Sequence, residues 1–111
     1  MVSELCRVDE IPQDNGVERR IVNADGALEL AIFSVGGAIL AYHNACPHQG
    51  RSLSFAPGEF LLGESGELVC PHHGARFDLA AGTCLSGPCQ GGTLRGVDVR
   101  VENGRVYLDQ D

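Results

Sequence analysis

The sequence has no lysine: all eight basic residues are arginine, set against fifteen Asp and Glu, for a formal net charge of −7 over 111 residues. Such a chain lacks the basic face that nucleic-acid phosphates demand, which excludes nucleic acid as the expected partner. The acidity has two readings of equal weight, docking onto a basic patch of a partner or solubility alone. A membrane span is also missing. The apolar stretch Leu30 to Tyr42 is too short to cross a bilayer and is interrupted by Gly36-Gly37. Met1 to Glu10 is polar and charged, without a leader pattern, so the expected compartment is the cytoplasm. No long helical periodicity, internal repeat or low-complexity tract occurs.

What remains points to β structure. One domain over residues 1–111 is expected from the length. Hydrophobic residues make up 43%, enough for a modest core, and fifteen glycines with short apolar runs favour strands joined by tight turns. Glu4 to Val8 and Glu18 to Val22 read as strands, with Asn15-Gly16 and Asp25-Gly26 as turns. Leu28 to Val35 and Ala38 to His43 flank Gly36-Gly37 as a hairpin. Val97 to Glu102 alternates apolar and charged residues, the pattern of a half-buried strand. Asn103-Gly104 then turns it onto a partner strand over Arg105 to Asp109. Between the two hairpins, from Asn44 to about Gly92, the chain is rich in Gly, Pro, Cys and His, and only Glu67 to Cys70 and Arg76 to Leu79 look strand-like. The expected class is all-β: a small antiparallel base carrying a loop-rich insert at about 44–92.

Five cysteines in a cytoplasmic chain suggest metal or redox chemistry more than a disulfide framework. Two segments stand out, Cys46-Pro47-His48-Gln49-Gly50 and Cys70-Pro71-His72-His73-Gly74, with twenty-one residues between His48 and Cys70. Each offers one thiolate and at least one imidazole, followed closely by glycine. Two Cys and two His can hold a tetrahedral zinc. They can also hold a two-iron, two-sulfide cluster with both Cys on one iron and both His on the other. Gly50 and Gly74 weigh toward the cluster, because its bridging sulfides accept backbone N–H bonds and glycine lets the backbone come close. A zinc knuckle usually pairs its cysteines as Cys-x2-Cys, which is absent here.

The pattern Cys-x-His, spacer, Cys-x2-His resembles the Rieske family, with Cys46, His48, Cys70 and His73 at its ligand positions. The likeness extends to Gly74-Ala75-Arg76-Phe77-Asp78 after the second loop. It also takes in Ser86-Gly87-Pro88, similar to the proline-bearing third loop that covers the cluster. The resemblance implies a Rieske-type fold and one [2Fe–2S] cluster. It also implies an electron carrier with no catalysis of its own, a ferredoxin taking single electrons from a flavin- or ferredoxin-type reductase to a terminal oxygenase. Two departures matter. The spacer is longer than is usual in bacterial Rieske ferredoxins, with Ala56-Pro57-Gly58-Glu59 in the extension. The places where mitochondrial-type members carry a loop disulfide hold Arg51 and Pro71. Two ferric ions, two sulfides, two thiolates and two neutral imidazoles carry no net charge, so the site gains an electron more readily than an all-Cys one. High-potential members place a hydroxyl where Ala75 stands, so a low potential is expected.

Alternatives remain at this stage. His72 competes with His73, which is preferred because Gly74 follows it and because the family pattern demands it. Cys84 and Cys89 form a disulfide or pack near the cluster as thiols, the latter being the default in a reducing cytosol. Cys6 reads as a structural thiol and His43 as an ordinary residue at a strand end. The rival functions are a Rieske small subunit of a larger oxidoreductase, such as an assimilatory nitrite reductase, and a structural zinc-binding module. An oxygenase centre would need two further His and a carboxylate, and only His43 and His72 are left over.

Overall fold

The computed structural model describes residues 3–12, 16–23, 26–35, 38–45, 53–56, 59–63, 66–71, 74–87 and 92–109. In chain order the strands are β1 (Ser3–Arg7), β2 (Gly16–Asn23), β3 (Gly26–Val35), β4 (Ala38–His43), β5 (Ser54–Ala56), β6 (Glu59–Leu62), β7 (Leu68–Val69), β8 (Arg76–Phe77), β9 (Cys84–Ser86), β10 (Gly96–Val97), β11 (Val99–Glu102) and β12 (Arg105–Leu108). One 3-10 turn, Val8–Glu10, follows β1. Among the described residues every strand pairing is antiparallel. No helix among them is long and apolar enough to cross a membrane.

The architecture follows from β3. Leu30, Ala31, Ile32 and Phe33 are all completely buried, although successive residues of a strand point to opposite faces. Both faces of this strand are therefore covered. Leu30 and Ile32 join Leu5, Cys6, Ile11, Ala41, Val97 and Val106 in one core. Ala31 and Phe33 join Tyr42, Leu53, Phe60, Leu68, Cys70 and Phe77 in a second. The sheet β10-β4-β3-β2 is thus a middle layer. The sheet β1-β12-β11 closes one face, and β5-β6-β7-β8-β9, from the insert, closes the other.

Registers agree with the turn chemistry. β2 and β3 pair from Gly16↔Phe33 to Asn23↔Gly26, and β3 and β4 from Leu30↔His43 to Val35↔Ala38. At the last hairpin Asn103 (φ 53°) and Gly104 (φ 76°) both adopt the left-handed conformation that a tight primed turn requires, and Glu102 pairs with Arg105. Gly16 is needed for space: a Cβ there would lie 2.6 Å from Cδ1 of Phe33, whose ring meets Phe60 edge-on at 4.9 Å across to the insert.

Four expectations need correcting. The 44–92 region is more than loops on a base, because it contributes a whole sheet. Its strands have two to four residues each, too short for a periodicity to show. The strand expected over Val97–Glu102 is two strands in two sheets. Val97 pairs with β4 in the middle layer, and from Val99 the chain pairs with β12, leaving Val101 46% exposed. Val8 lies in the 3-10 turn, where its N–H donates to the Gly104 carbonyl, instead of ending the first strand. Gly16 begins β2 instead of completing a turn, and Asn15, Asp25, Gly36 and Gly37 lie outside the described residues.

A buried hydrogen bond ties the insert to the middle layer: the Tyr42 hydroxyl donates to the Leu79 carbonyl at 2.6 Å. Burial and the nearby Asp78 carboxylate both push the phenol pKa up, so the donor proton is kept. Tyr42→Phe leaves that carbonyl without its donor and is expected to cost about 1–2 kcal/mol in unfolding free energy, measured by urea titration.

Candidate metal centre

The second Cys-His segment is the turn between β7 and β8. Leu68 and Val69 pair with Phe77 and Arg76. Beyond them the Cys70 N–H donates to the Ala75 carbonyl at 2.7 Å, and the Gly74 N–H donates to the Cys70 carbonyl at 2.9 Å. Gly74, at φ 70°, closes the turn in a conformation that side-chain-bearing residues avoid. Cys70 and Ala75 are each 1% exposed and pack with Leu53, Phe77, Leu79 and Cys84. The Cys70 sulfur is in no disulfide. It stands at the end of the β7–β8 strand pair among apolar side chains.

The third segment lies directly on this turn. Gly87 has φ 100°, and a Cβ on it would lie 2.7 Å from the Ala75 Cα. Backbone meets backbone there because neither residue carries more than a methyl. The Cys84 thiol donates to the Ser86 carbonyl at 3.4 Å, on the strand leading into this contact.

The residues that flank the first segment are described. At the exit of β4 the His43 N–H donates to the Arg95 carbonyl (2.8 Å), and the Asn44 N–H donates to the Glu29 carbonyl (2.9 Å). The Asn44 side chain accepts from the Leu53 N–H at 2.9 Å and donates to Glu18 Oε1 at 2.8 Å. The same Glu18 oxygen accepts from the Ser54 hydroxyl. Sequence reasoning missed this polar group. Glu18 and Ser54 are distant in the chain, and nothing about an isolated glutamate or serine signals that they meet.

Of the four expected ligands, Cys70 is described, and Cys46, His48 and His73 lie outside the described residues. So do His72, Gly50, Arg51, Pro88 and Cys89. Among the described residues no group of three or more His, Cys, Asp and Glu is gathered as for a metal ion. Cys6 sits in the other core, 4% exposed, and burial raises its thiol pKa. It is a packing residue with little thiolate to offer. His43, half-buried at the end of β4, has its pKa lowered by burial and by the Arg95 charge.

Residues 1–102 match the family model for the Rieske [2Fe–2S] domain. The 3-phenylpropionate/cinnamic acid dioxygenase ferredoxin subunit of Escherichia coli is 31% identical over 104 residues, covering 94% of this chain and 89% of that one. A ferredoxin from Sphingomonas yanoikuyae B1 superposes with a TM-score of 0.77 at 26% identity over the full length of both chains. A chain in the complex of reduced oxygenase and oxidized ferredoxin of carbazole 1,9a-dioxygenase matches with a TM-score of 0.71 at 32% identity. That match covers 96% of this chain and 91% of that one. The chain belongs to the Rieske [2Fe–2S] domain family. Membership implies an iron–sulfur cluster, and Cys70 offers a free thiol as one sulfur donor. The chain is an electron-transfer component and not a catalytic subunit.

Replacing Gly87 tests how closely the third segment must lie on the second. Gly87→Ala is expected to strain the contact with Ala75 by about 1–3 kcal/mol. The measured outcome is faster decay of the cluster's visible absorbance than in the unaltered protein, with a lowered Tm.

Proposed function

We propose that the chain is one domain holding a single [2Fe–2S] cluster, with Cys46 and Cys70 on one iron and His48 and His73 on the other. In this reading it carries single electrons from a flavin- or ferredoxin-type reductase to a terminal oxygenase in the cytoplasm. The observation that carries the reading is the buried Cys70 thiol, set by a short strand pair at the start of the second Cys-His segment and overlain by Gly87. The ferredoxin bound to an oxygenase in the carbazole system supports the oxygenase as acceptor. The relatives serve different aromatic substrates, so the substrate of the partner enzyme is set by that enzyme.

When bound, the cluster supplies a one-electron couple. The protein's part is to hold the sulfur and nitrogen donors, keep the thiolates away from water and fix the backbone around them. Ala75 bears on the potential. It is buried beside Cys70 and brings no hydroxyl to the site, which supports a couple in the lower part of the Rieske range.

The reading is tested on protein purified without oxygen. The expected protein is brown and, once reduced, gives a rhombic electron paramagnetic resonance signal of low average g. Alanine at Cys46, His48, Cys70 or His73 abolishes that signal, and His72→Ala leaves it in place. A colourless protein with stoichiometric zinc would overturn the reading.

A midpoint potential between about −150 and +100 mV is expected from redox titration, and Ala75→Ser raises it. An unaltered value in that variant would detach Ala75 from the control of potential.

A further inference from the structure

The segment 46–52 is bracketed by a single side chain. Asn44 precedes it and is itself anchored, its N–H donating to the Glu29 carbonyl on β3 at 2.9 Å. Leu53 follows it and is completely buried. The Asn44 carboxamide joins the two: its Oδ1 accepts from the Leu53 N–H at 2.9 Å. Its other end donates from Nδ2 to Glu18 Oε1 on β2 at 2.8 Å. Glu18 also accepts from the hydroxyl of Ser54, one residue beyond Leu53. A carboxamide has one donor end and one acceptor end. With a carboxylate facing one end and a peptide N–H facing the other, one orientation satisfies both, and its reverse sets acceptor against acceptor and donor against donor. The side chain therefore has a fixed direction as well as a fixed place.

We propose that Asn44 is a positioning residue for the metal centre. Its carboxamide, oriented by Glu18, sets the separation and the relative direction of the two ends of segment 46–52, and through them the geometry of Cys46 and His48. The proposal rests on the reading of those two residues as ligands. It assigns to the base of the fold, through β2, a direct hold on a segment that belongs to the insert. A residue of this kind acts on the cluster through its ligands, so its loss leaves all four ligands present and changes how well they fit.

The test uses the iron-loaded protein and three variants: Asn44→Ala, Asn44→Asp, and Asn44→Asp combined with Glu18→Gln. The aspartate keeps the acceptor for the Leu53 N–H but turns a carboxylate toward Glu18. The Glu18→Gln change then supplies an N–H in place of that carboxylate, restoring the pairing with donor and acceptor exchanged. Three properties are read: the g-values of the reduced protein, the midpoint potential, and the lifetime of the visible absorbance in the presence of an iron chelator. Asn44→Ala is expected to keep a Rieske-type signal with shifted g-values and a shifted potential, and to lose the cluster about ten- to a hundredfold faster. Asn44→Asp should behave similarly, and the double variant should return toward the native values. Should Asn44→Ala fail to fold, the comparison of Asn44→Asp with the double variant decides. Native g-values, potential and lifetime in Asn44→Ala, even with a lowered Tm, would overturn the proposal, as would a double variant no nearer to native than Asn44→Asp. Failure of the ligand reading looks different: the unaltered protein itself would lack the signal, or would keep it after Cys46→Ala, and the proposal would fall with it.

Discussion

The structure depends on one constraint, that the strand Leu30 to Phe33 is apolar on both of its faces. A strand with one polar face can lie on a single core and leave its other side in water, but this one cannot. Four consecutive side chains at zero exposure oblige the fold to supply two covering layers. The terminal segments supply one, with Leu5, Ile11 and Val106 against Leu30 and Ile32. The chain between β4 and β10 supplies the other, with Leu53, Phe60, Leu68 and Phe77 against Ala31 and Phe33. The insert is therefore a cover for the core as well as the stretch that holds the proposed ligands. Its own sheet is half of what keeps the middle layer dry.

That double duty ties the bases of the Gly-, Pro- and His-rich segments to the core. Cys70 and Ala75 belong to the same apolar cluster as Phe33 and Phe60, so the base of the second segment is set by side-chain packing and not by the turn alone. The first segment has fewer apolar residues, and the residues that flank it are joined by polar contacts instead, Asn44 to Glu29, Glu18 and Leu53. The third lies on the second through a contact that only Gly87 and a small neighbour permit. Packing, directional hydrogen bonds and close backbone approach thus each fix one segment. Ligand geometry held by such surrounding contacts is what fine control of a metal centre requires.

How much of this could be read from the residues depended on length scale. The β2–β3, β3–β4 and β11–β12 hairpins were legible because their strands are long enough to show a pattern and their turns carry Asp-Gly, Gly-Gly and Asn-Gly. The Cys-x-His and Cys-x2-His pattern is local in sequence, so it could be proposed without the fold; of its four residues the structure describes Cys70. Of the insert's sheet only Leu68–Val69 and Arg76–Phe77 fell in stretches that look strand-like; β5, β6 and β9 have three or four residues each and are defined by their pairing, not by a pattern. The switch of sheets at Asp98 was hidden for a related reason. Alternation of Val97, Val99 and Val101 records that side chains take turns, not that the backbone changes partners, and the Asp98 carbonyl is taken by the Asp109 N–H at the crossing. The Asn44–Glu18–Ser54 group was invisible because each polar residue is ordinary alone. Its meaning lies in a meeting that the two cores bring about.

The same reasoning bears on why this chain carries electrons and does not itself activate oxygen. Oxygen activation by a Rieske enzyme needs a second iron held by two His and a carboxylate. With four histidines in the sequence and two in the ligand pattern, His43 would have to be one of the pair. Its surroundings work against that. The backbone N–H of His43 is bound to the Arg95 carbonyl, and both burial and the Arg95 guanidinium disfavour positive charge at its ring. His43 is held through its backbone at the end of β4, and no group of three or more His, Cys, Asp and Glu gathers around it among the described residues.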